Sequence, residues 1–189
     1  MKRALHMITV LTLTSGITGA LLAFVYAGTW PKIQQNERAQ LERAVYQVLP
    51  GAVAFEEQAM GDISLFRGFS DSTKSHIVGI AVRAQGTGFQ DVIRVMAGFD
   101  QTCGRMFGLR VLKQVETPGL GAKIAEEEFL RQFEDLVLSP KIAVVKAGAL
   151  DKSTGRVQAI TGATISSKAV ESIINKALDT VRQGQGGGT

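Results

Sequence analysis

From Ala4 to Ala27 the chain carries no acid or base except His6. At about 1.5 Å per helical residue, such a run is long enough to cross a hydrocarbon layer of about 30 Å. Tyr26 and Trp30 close it with the amphipathic aromatics that favour a membrane–water boundary. The spacing predicts a retained anchor; a cleaved signal ending at Val25-Tyr26-Ala27 is the competing reading, but signal cores run to only about 7–15 apolar residues. Lys2 and Arg3 lie ahead of the run, so the N-terminal tip is expected in the cytoplasm and everything after Trp30 outside it.

Beyond the anchor the pattern changes period. Ile33, Leu41, Ala44, Val45 and Val48 among Gln, Glu and Arg predict an amphipathic stalk helix from Ile33 to Leu49, stopped by Pro50-Gly51. Short runs rich in β-branched and aromatic residues follow, namely Ile63 to Phe69, Ile77 to Ala84, Phe89 to Phe99 and Gly108 to Val115. They predict an antiparallel sheet, with turns at Gly86-Thr87-Gly88 and at Asp100 to Gly104. Glu116 to Gly121 reads as a loop, and Ala122 to Phe133 as a helix with Ile124, Phe129 and Phe133 on one face. Arg156 to Ile160 is a short strand leading to Thr161. Then Ile165, Ala169, Ile173, Ala177 and Val181 recur at helical spacing. Gly184 to Thr189 has nothing to bury and reads as a disordered tail.

The expected organisation is a cytoplasmic tip and anchor at 1–28, a stalk at 29–51, one domain at 52–183 and a tail at 184–189. The fold class is α+β, an antiparallel sheet packed by helices and preceded by one transmembrane helix. About 160 residues after the leader suffice for one core and are too few for two.

Composition narrows the chemistry. Hydrophobic residues make up 45% and charged residues 20%, ordinary for a globular chain with an apolar leader. The net charge of +4 is spread among acids, without the basic face that nucleic acid requires, so no nucleic-acid partner is expected. Cys103 is the only cysteine, which excludes an intrachain disulfide, a paired-cysteine zinc site and a self-contained iron–sulfur cluster. It reads as a small buried residue at the turn before Gly104. With only His6 and His76 besides, no metal centre is expected.

Two segments combine open backbone with little side-chain bulk: Thr117 to Gly121, and Thr161-Gly162-Ala163-Thr164 at the start of the last helix. Their glycines let a flat or phosphorylated ligand approach the backbone, and the first turn of a helix presents unpaired N–H groups and a positive dipole end to a phosphate. The plainer alternative is that both are connecting turns, with Thr161 a helix cap. Likewise Ser166 and Ser167 are first-turn polar residues or ligand contacts, Lys168 a surface charge or a phosphate's cation, and Glu116 a loop-fixing acceptor or a ligand contact. Phe89 is a core residue or a stacking partner. A hydrolase using a serine or Thr164 as nucleophile has little support, because no motif ties His76 to a serine.

Glu116-Thr117-Pro118-Gly119-Leu120-Gly121 taken with Thr161-Gly162-Ala163-Thr164 resembles the FMN-binding domain family. More narrowly, the anchor, the length, the order of elements and the Gly86-Thr87-Gly88-Phe89 turn resemble the G-subunit family of Rnf-type ion-translocating electron-transport complexes. The resemblance implies one FMN per chain, joined covalently by a phosphoester to Thr164 and installed from FAD by a separate flavin transferase. It implies that Thr161, Gly162, Ala163, Ile165, Ser166 and Lys168 surround the attachment point. Glu116, Thr117, Gly119, Leu120, Gly86 and Phe89 would lie around the flavin. One departure is that the family's attachment signature has an acid three residues before its first Ser or Thr, where this chain has Gln158, an acceptor without charge.

A phosphodiester at Thr164 keeps one negative charge, which the amides near Ile165 and Ser166 and the helix dipole would stabilise by about 0.3–1 kcal/mol. The implied function is electron relay in a ferredoxin:NAD oxidoreductase complex of a bacterial inner membrane. The domain would lie on the periplasmic side, and the partners would be the other membrane subunits. Two alternatives stand beside it: a C-subunit-like component of a sodium-translocating NADH:quinone reductase, typically longer, and a structural subunit without redox chemistry.

Overall fold

A computed structural model describes residues 2–61, 63–146 and 148–186. The chain divides into two compact units, Met1–Gln40 and Leu41–Thr189. The first unit is helical from Lys2 onward. Helix α1 runs from Lys2 to Val48 and continues through Pro31, so the expected anchor and stalk are one uninterrupted element. Its N-terminal part is long and apolar enough to cross a membrane. Hydroxyls in this stretch are satisfied within the helix: Thr9 donates to the Leu5 carbonyl at 2.8 Å, Thr14 to Val10 at 2.9 Å and Thr18 to Thr14 at 2.8 Å. None of the three needs a polar partner from an apolar medium. Tyr26 and Trp30 stack with ring centroids 5.3 Å apart.

In the second unit six strands form a meander in which every neighbour is antiparallel: β1 (Ala54–Met60), β2 (Ile63–Phe69), β3 (Ile77–Thr87), β4 (Val92–Phe99), β5 (Arg105–Lys113) and β6 (Leu136–Val137). A parallel pair, β7 (Ala143–Val145) and β8 (Arg156–Gln158), stands apart from it. Between β5 and β6 the predicted helix 122–133 is three short pieces: a 3-10 turn at Gly121–Ala125, helix α2 at Glu127–Leu130 and a 3-10 turn at Arg131–Phe133. Glu126 separates the first two in an extended conformation, φ −78° and ψ 146°. Ile124 and Phe129 lie five apart, which one regular helix cannot place on the same face, and the break lets both be buried.

Alternation of side chains gives the sheet two buried faces. Leu65, Val82, Ile93 and Val95 pack beneath helix α3 (Thr164–Gly186) through Val170, Ile174, Leu178 and Val181. Phe66, Ala81 and Met96 point the other way and are covered by the last turns of α1 through Ala44, Val45, Val48 and Leu49. That end of α1 sits unusually close to the sheet. A Cβ on Gly98 would lie 1.9 Å from the Val48 carbonyl oxygen, so only glycine fits there. Helix α3 continues to Gly186, so residues 184–186 of the expected tail are helical; residues 187–189 lie outside the described residues.

Candidate functional site

Where β5 ends, the chain turns through the first of the two open segments. The Thr117 carbonyl accepts hydrogen bonds from the N–H groups of Leu120 and Ala122, both at 3.1 Å, and Gly119 takes the left-handed conformation this tight path requires, φ +76°. The second segment turns at Gly162, φ +81°. The two meet there: a Cβ on Gly162 would stand 3.1 Å from the Leu120 side chain.

Glu116 joins these segments to a third. Its carboxylate is buried, with one oxygen accepting from the N–H groups of Phe89 at 2.9 Å and Gln90 at 3.2 Å, and the other from the Ser166 hydroxyl at 2.7 Å. The Glu116 N–H in turn donates to the Gln114 side chain at 2.7 Å. One side chain thus fixes the β3–β4 turn, the 116–121 loop and the first turn of α3 against one another. Of the two roles expected for Glu116, loop fixing is the one its bonds perform.

Ser167 fastens the start of α3. Its hydroxyl donates to the Ala163 carbonyl at 3.0 Å and accepts from the Ile160 N–H at 3.1 Å. Ala163 precedes the first helical residue, and no hydrogen bond among the described residues uses the Thr161 hydroxyl, so Thr161 is not the cap. The first backbone bond of α3 runs from Ser167 N–H to Ala163. Among the described residues, no hydrogen bond uses the N–H groups of Thr164, Ile165 and Ser166, as expected for the first turn of a helix. Thr164 is exposed beside them, and Lys168 is exposed one turn on.

Around this point lie large apolar side chains open to solvent: Phe89 at 61% exposure, Leu120 at 46%, Ile165 at 60% and Val115 at 52%. Phe89, a core candidate by its sequence, is therefore a surface residue of the turn. Gly86 departs from expectation more sharply. It belongs to β3 rather than to the turn, which runs from Gly88 to Asp91 and closes with a 2.8 Å bond from Gly88 N–H to the Asp91 carbonyl. A Cβ on Gly86 would meet Ile173 at 2.6 Å, so this glycine brings β3 against α3 and has no open face there for a ligand.

A cleft of about 370 Å³ borders the Thr161 turn, lined by Lys123, Glu126, Gln132, Gln158 and Ile160 among others. Gln158 is held there by Gln132, whose side-chain oxygen accepts the Gln158 N–H at 2.6 Å. The role of Gln132 was not legible in the chain, because it acts through a bond to a backbone group 26 residues away. Cys103 is buried at the Asp100–Gly104 turn with φ +53°, and burial pushes its thiol pKa up.

A family model for the FMN-binding domain matches residues 88–179, and one for the RnfG N-terminal region matches residues 9–48. The chain is 32% identical to the G subunit of the ion-translocating oxidoreductase complex of Methanosarcina acetivorans, with 98% of each chain covered. It is 32% identical to the G subunit of the Na(+)-translocating ferredoxin:NAD(+) oxidoreductase complex of Acetobacterium woodii, over 84% of this chain and 81% of that one. The proton-translocating counterpart from Clostridium ljungdahlii is 30% identical over 94% and 91%. Among solved structures, the C subunit of the Na(+)-translocating NADH-quinone reductase of Parabacteroides distasonis superposes with a TM-score of 0.54 at 25% identity. That superposition covers 62% of this chain and 60% of that one.

Proposed function

We propose, because this chain belongs to the G-subunit family of ion-translocating oxidoreductase complexes, that it carries FMN on Thr164 through a phosphoester and relays electrons inside such a complex. Family membership and the FMN-binding domain make it an electron-transfer flavoprotein subunit of a membrane oxidoreductase, anchored by α1. The finer reading is one covalent FMN per chain. It is installed when the Thr164 hydroxyl displaces AMP from FAD under a separate flavin transferase.

The observation that carries this reading is the exposure of Thr164 at the first turn of a helix whose leading N–H groups have no partner among the described residues. The unpaired amides and positive dipole end of a helix's first turn would stabilise the charge of a phosphodiester on Thr164, and exposed Lys168 would add a cation one turn later. Gly162 and Ala163 leave the approach unobstructed, while Ile165, Leu120 and Phe89 offer apolar surface for the ring system. Thr117 and Gly119 shape the loop that presents Leu120, and Thr161 stands at the mouth of the neighbouring cleft. Gly86 is left out of this set for the packing reason given above. Bound FMN supplies the redox chemistry, and the protein's part is to hold it and fix its surroundings. Attachment through phosphate leaves the ring unmodified and prevents its loss to the medium.

Lys2 and Arg3 ahead of the apolar run support a cytoplasmic N-terminus, with the domain on the extracytoplasmic side of an inner membrane. The likeness to the C subunit of the NADH-quinone reductase covers the fold, whereas the G-subunit relatives match along nearly the whole chain, which favours the G reading. The test is in-gel fluorescence and mass spectrometry of the denatured chain, made together with a flavin transferase. Wild type and Thr164→Ser are expected to fluoresce and to carry an added FMN, and Thr164→Ala to carry none. An unmodified wild type overturns the assignment.

A further inference from the structure

The sheet face that receives the end of α1 continues past it into a polar cleft of about 230 Å³, lined by Ser64, Arg83, Ala84, Gln85 and Arg94. Ser64 and Arg83 are opposite one another across β2 and β3, as Gln85 and Arg94 are across β3 and β4. Lys113 is opposite Arg94 on β5, which puts a third cation on the same face. Arg83 donates to the Ser64 hydroxyl at 2.8 Å, and Arg94 donates from Nε and Nη2 to the Gln85 side-chain oxygen at 3.3 and 3.2 Å.

Those partners are neutral. They orient the two guanidinium groups without cancelling their charge, and most of the five N–H donors on each remain unused. None of the ion pairs among the described residues involves Arg83, Arg94 or Lys113. Both arginines stand on inner strands whose ladders are paired on either side, so their backbone positions are fixed before any ligand arrives.

We propose that this cleft is a docking point for carboxylate side chains of another subunit of the complex. Forked guanidinium groups pair with carboxylates bidentately, and arginine is over-represented at the energetic centres of interfaces. Val92, 41% exposed on the same face two positions from Arg94, gives the apolar flank such a contact uses. A phosphate site fits less well, because backbone N–H groups of the inner strands are spent in the ladder and only side chains face the cleft. The proposal rests on the assignment of this chain to such a complex.

The test uses the native complex extracted from membranes. In the Arg83→Glu/Arg94→Glu chain, recovery of the other subunits is expected to fall at least tenfold, and in Arg83→Gln/Arg94→Gln by less. In-gel flavin fluorescence and the melting temperature of the chain are expected to hold. In Arg94→Lys, a zero-length carbodiimide is expected to join that lysine to an Asp or Glu of another subunit, identified by mass spectrometry. Full assembly of the double Glu variant, cross-links confined to this chain, or arginine-dependent binding to anionic phospholipid vesicles with assembly unchanged would each overturn the docking proposal. A wild-type chain recovered alone fails differently, since it removes the complex itself and the docking point with it.

Discussion

The Ser166 hydroxyl donates a 2.7 Å hydrogen bond to a carboxylate oxygen of Glu116, fifty residues earlier in the chain, and both residues are buried. The pair ties the loop after β5 to the first turn of α3, next to the exposed Thr164. Removing the carboxylate strands a buried hydroxyl and two loop N–H groups. A buried polar group without a partner costs about 1–3 kcal/mol. Glu116→Ala is therefore expected to lower the melting temperature clearly and Glu116→Gln to lower it less, with flavin attachment falling in the same order. Circular dichroism melts alongside in-gel fluorescence check this; equal melts for Ala and wild type would show that the clamp carries no stability.

Gly162 is conformationally demanding. At φ +81° an L side chain is strained by about 1–2 kcal/mol, and a new Cβ would press on Leu120 at 3.1 Å. Gly162→Ala is expected to keep the domain folded while slowing the flavin attachment proposed for Thr164, as read by the fluorescent fraction over time.

At Gly98 the obstacle is space. A methyl group there would fall 1.9 Å from the Val48 carbonyl oxygen, so α1 must be lifted from the sheet to admit it. Gly98→Ala is expected to cost about 3 kcal/mol or more. Gly108→Ala, where nothing lies within 4 Å of the added atom, is the control. Denaturant unfolding of the two variants measures the difference.

Cys103 should be chemically quiet. Burial raises its thiol pKa, against a smaller opposing pull from Arg182, so little thiolate exists near neutral pH. Alkylation by iodoacetamide at pH 8 is expected to be slow in the native chain and fast after unfolding, as counted by mass spectrometry.

Asp71 organises the β2–β3 connection. Its carboxylate accepts from the Thr73 hydroxyl and from the N–H groups of Ser75 and His76, which hold its pKa well below the ordinary 3.8. A depressed native pKa means that the contribution to stability is complete above 3.8 and is lost as pH falls through the lower native value. Amide exchange at Ser75 and His76 is expected to accelerate in that acid range, and in Asp71→Asn to be fast at every pH. Protection that survives in Asp71→Asn would refute the role given to the carboxylate.

Much of the fold could be read along the chain because its signals were local. Ile63 to Phe69 forms a strand with those bounds, and the helix after Ala163 follows its apolar spacing. Strand β1 escaped because Glu56 and Glu57 interrupt its pattern on an exposed edge. The three pieces at 121–133 escaped because the apolar spacing approximates a helix without fitting one. At the candidate site, the sequence marked the two glycine-containing segments and the exposed threonine. It did not show that Glu116 spends both oxygens on the protein itself, nor that Gly86 is closed off by Ile173, since both depend on which elements the fold brings together.

The bonds from Ser167 to Ile160 and Ala163 complete the bend before α3 without using Thr164 at all. The turn that presents Thr164 is therefore held by the polypeptide's own bonds, independently of the flavin attachment proposed for that residue. On the proposed reading, a chain still without flavin is expected to keep this bend, so that loading could come after folding rather than during it.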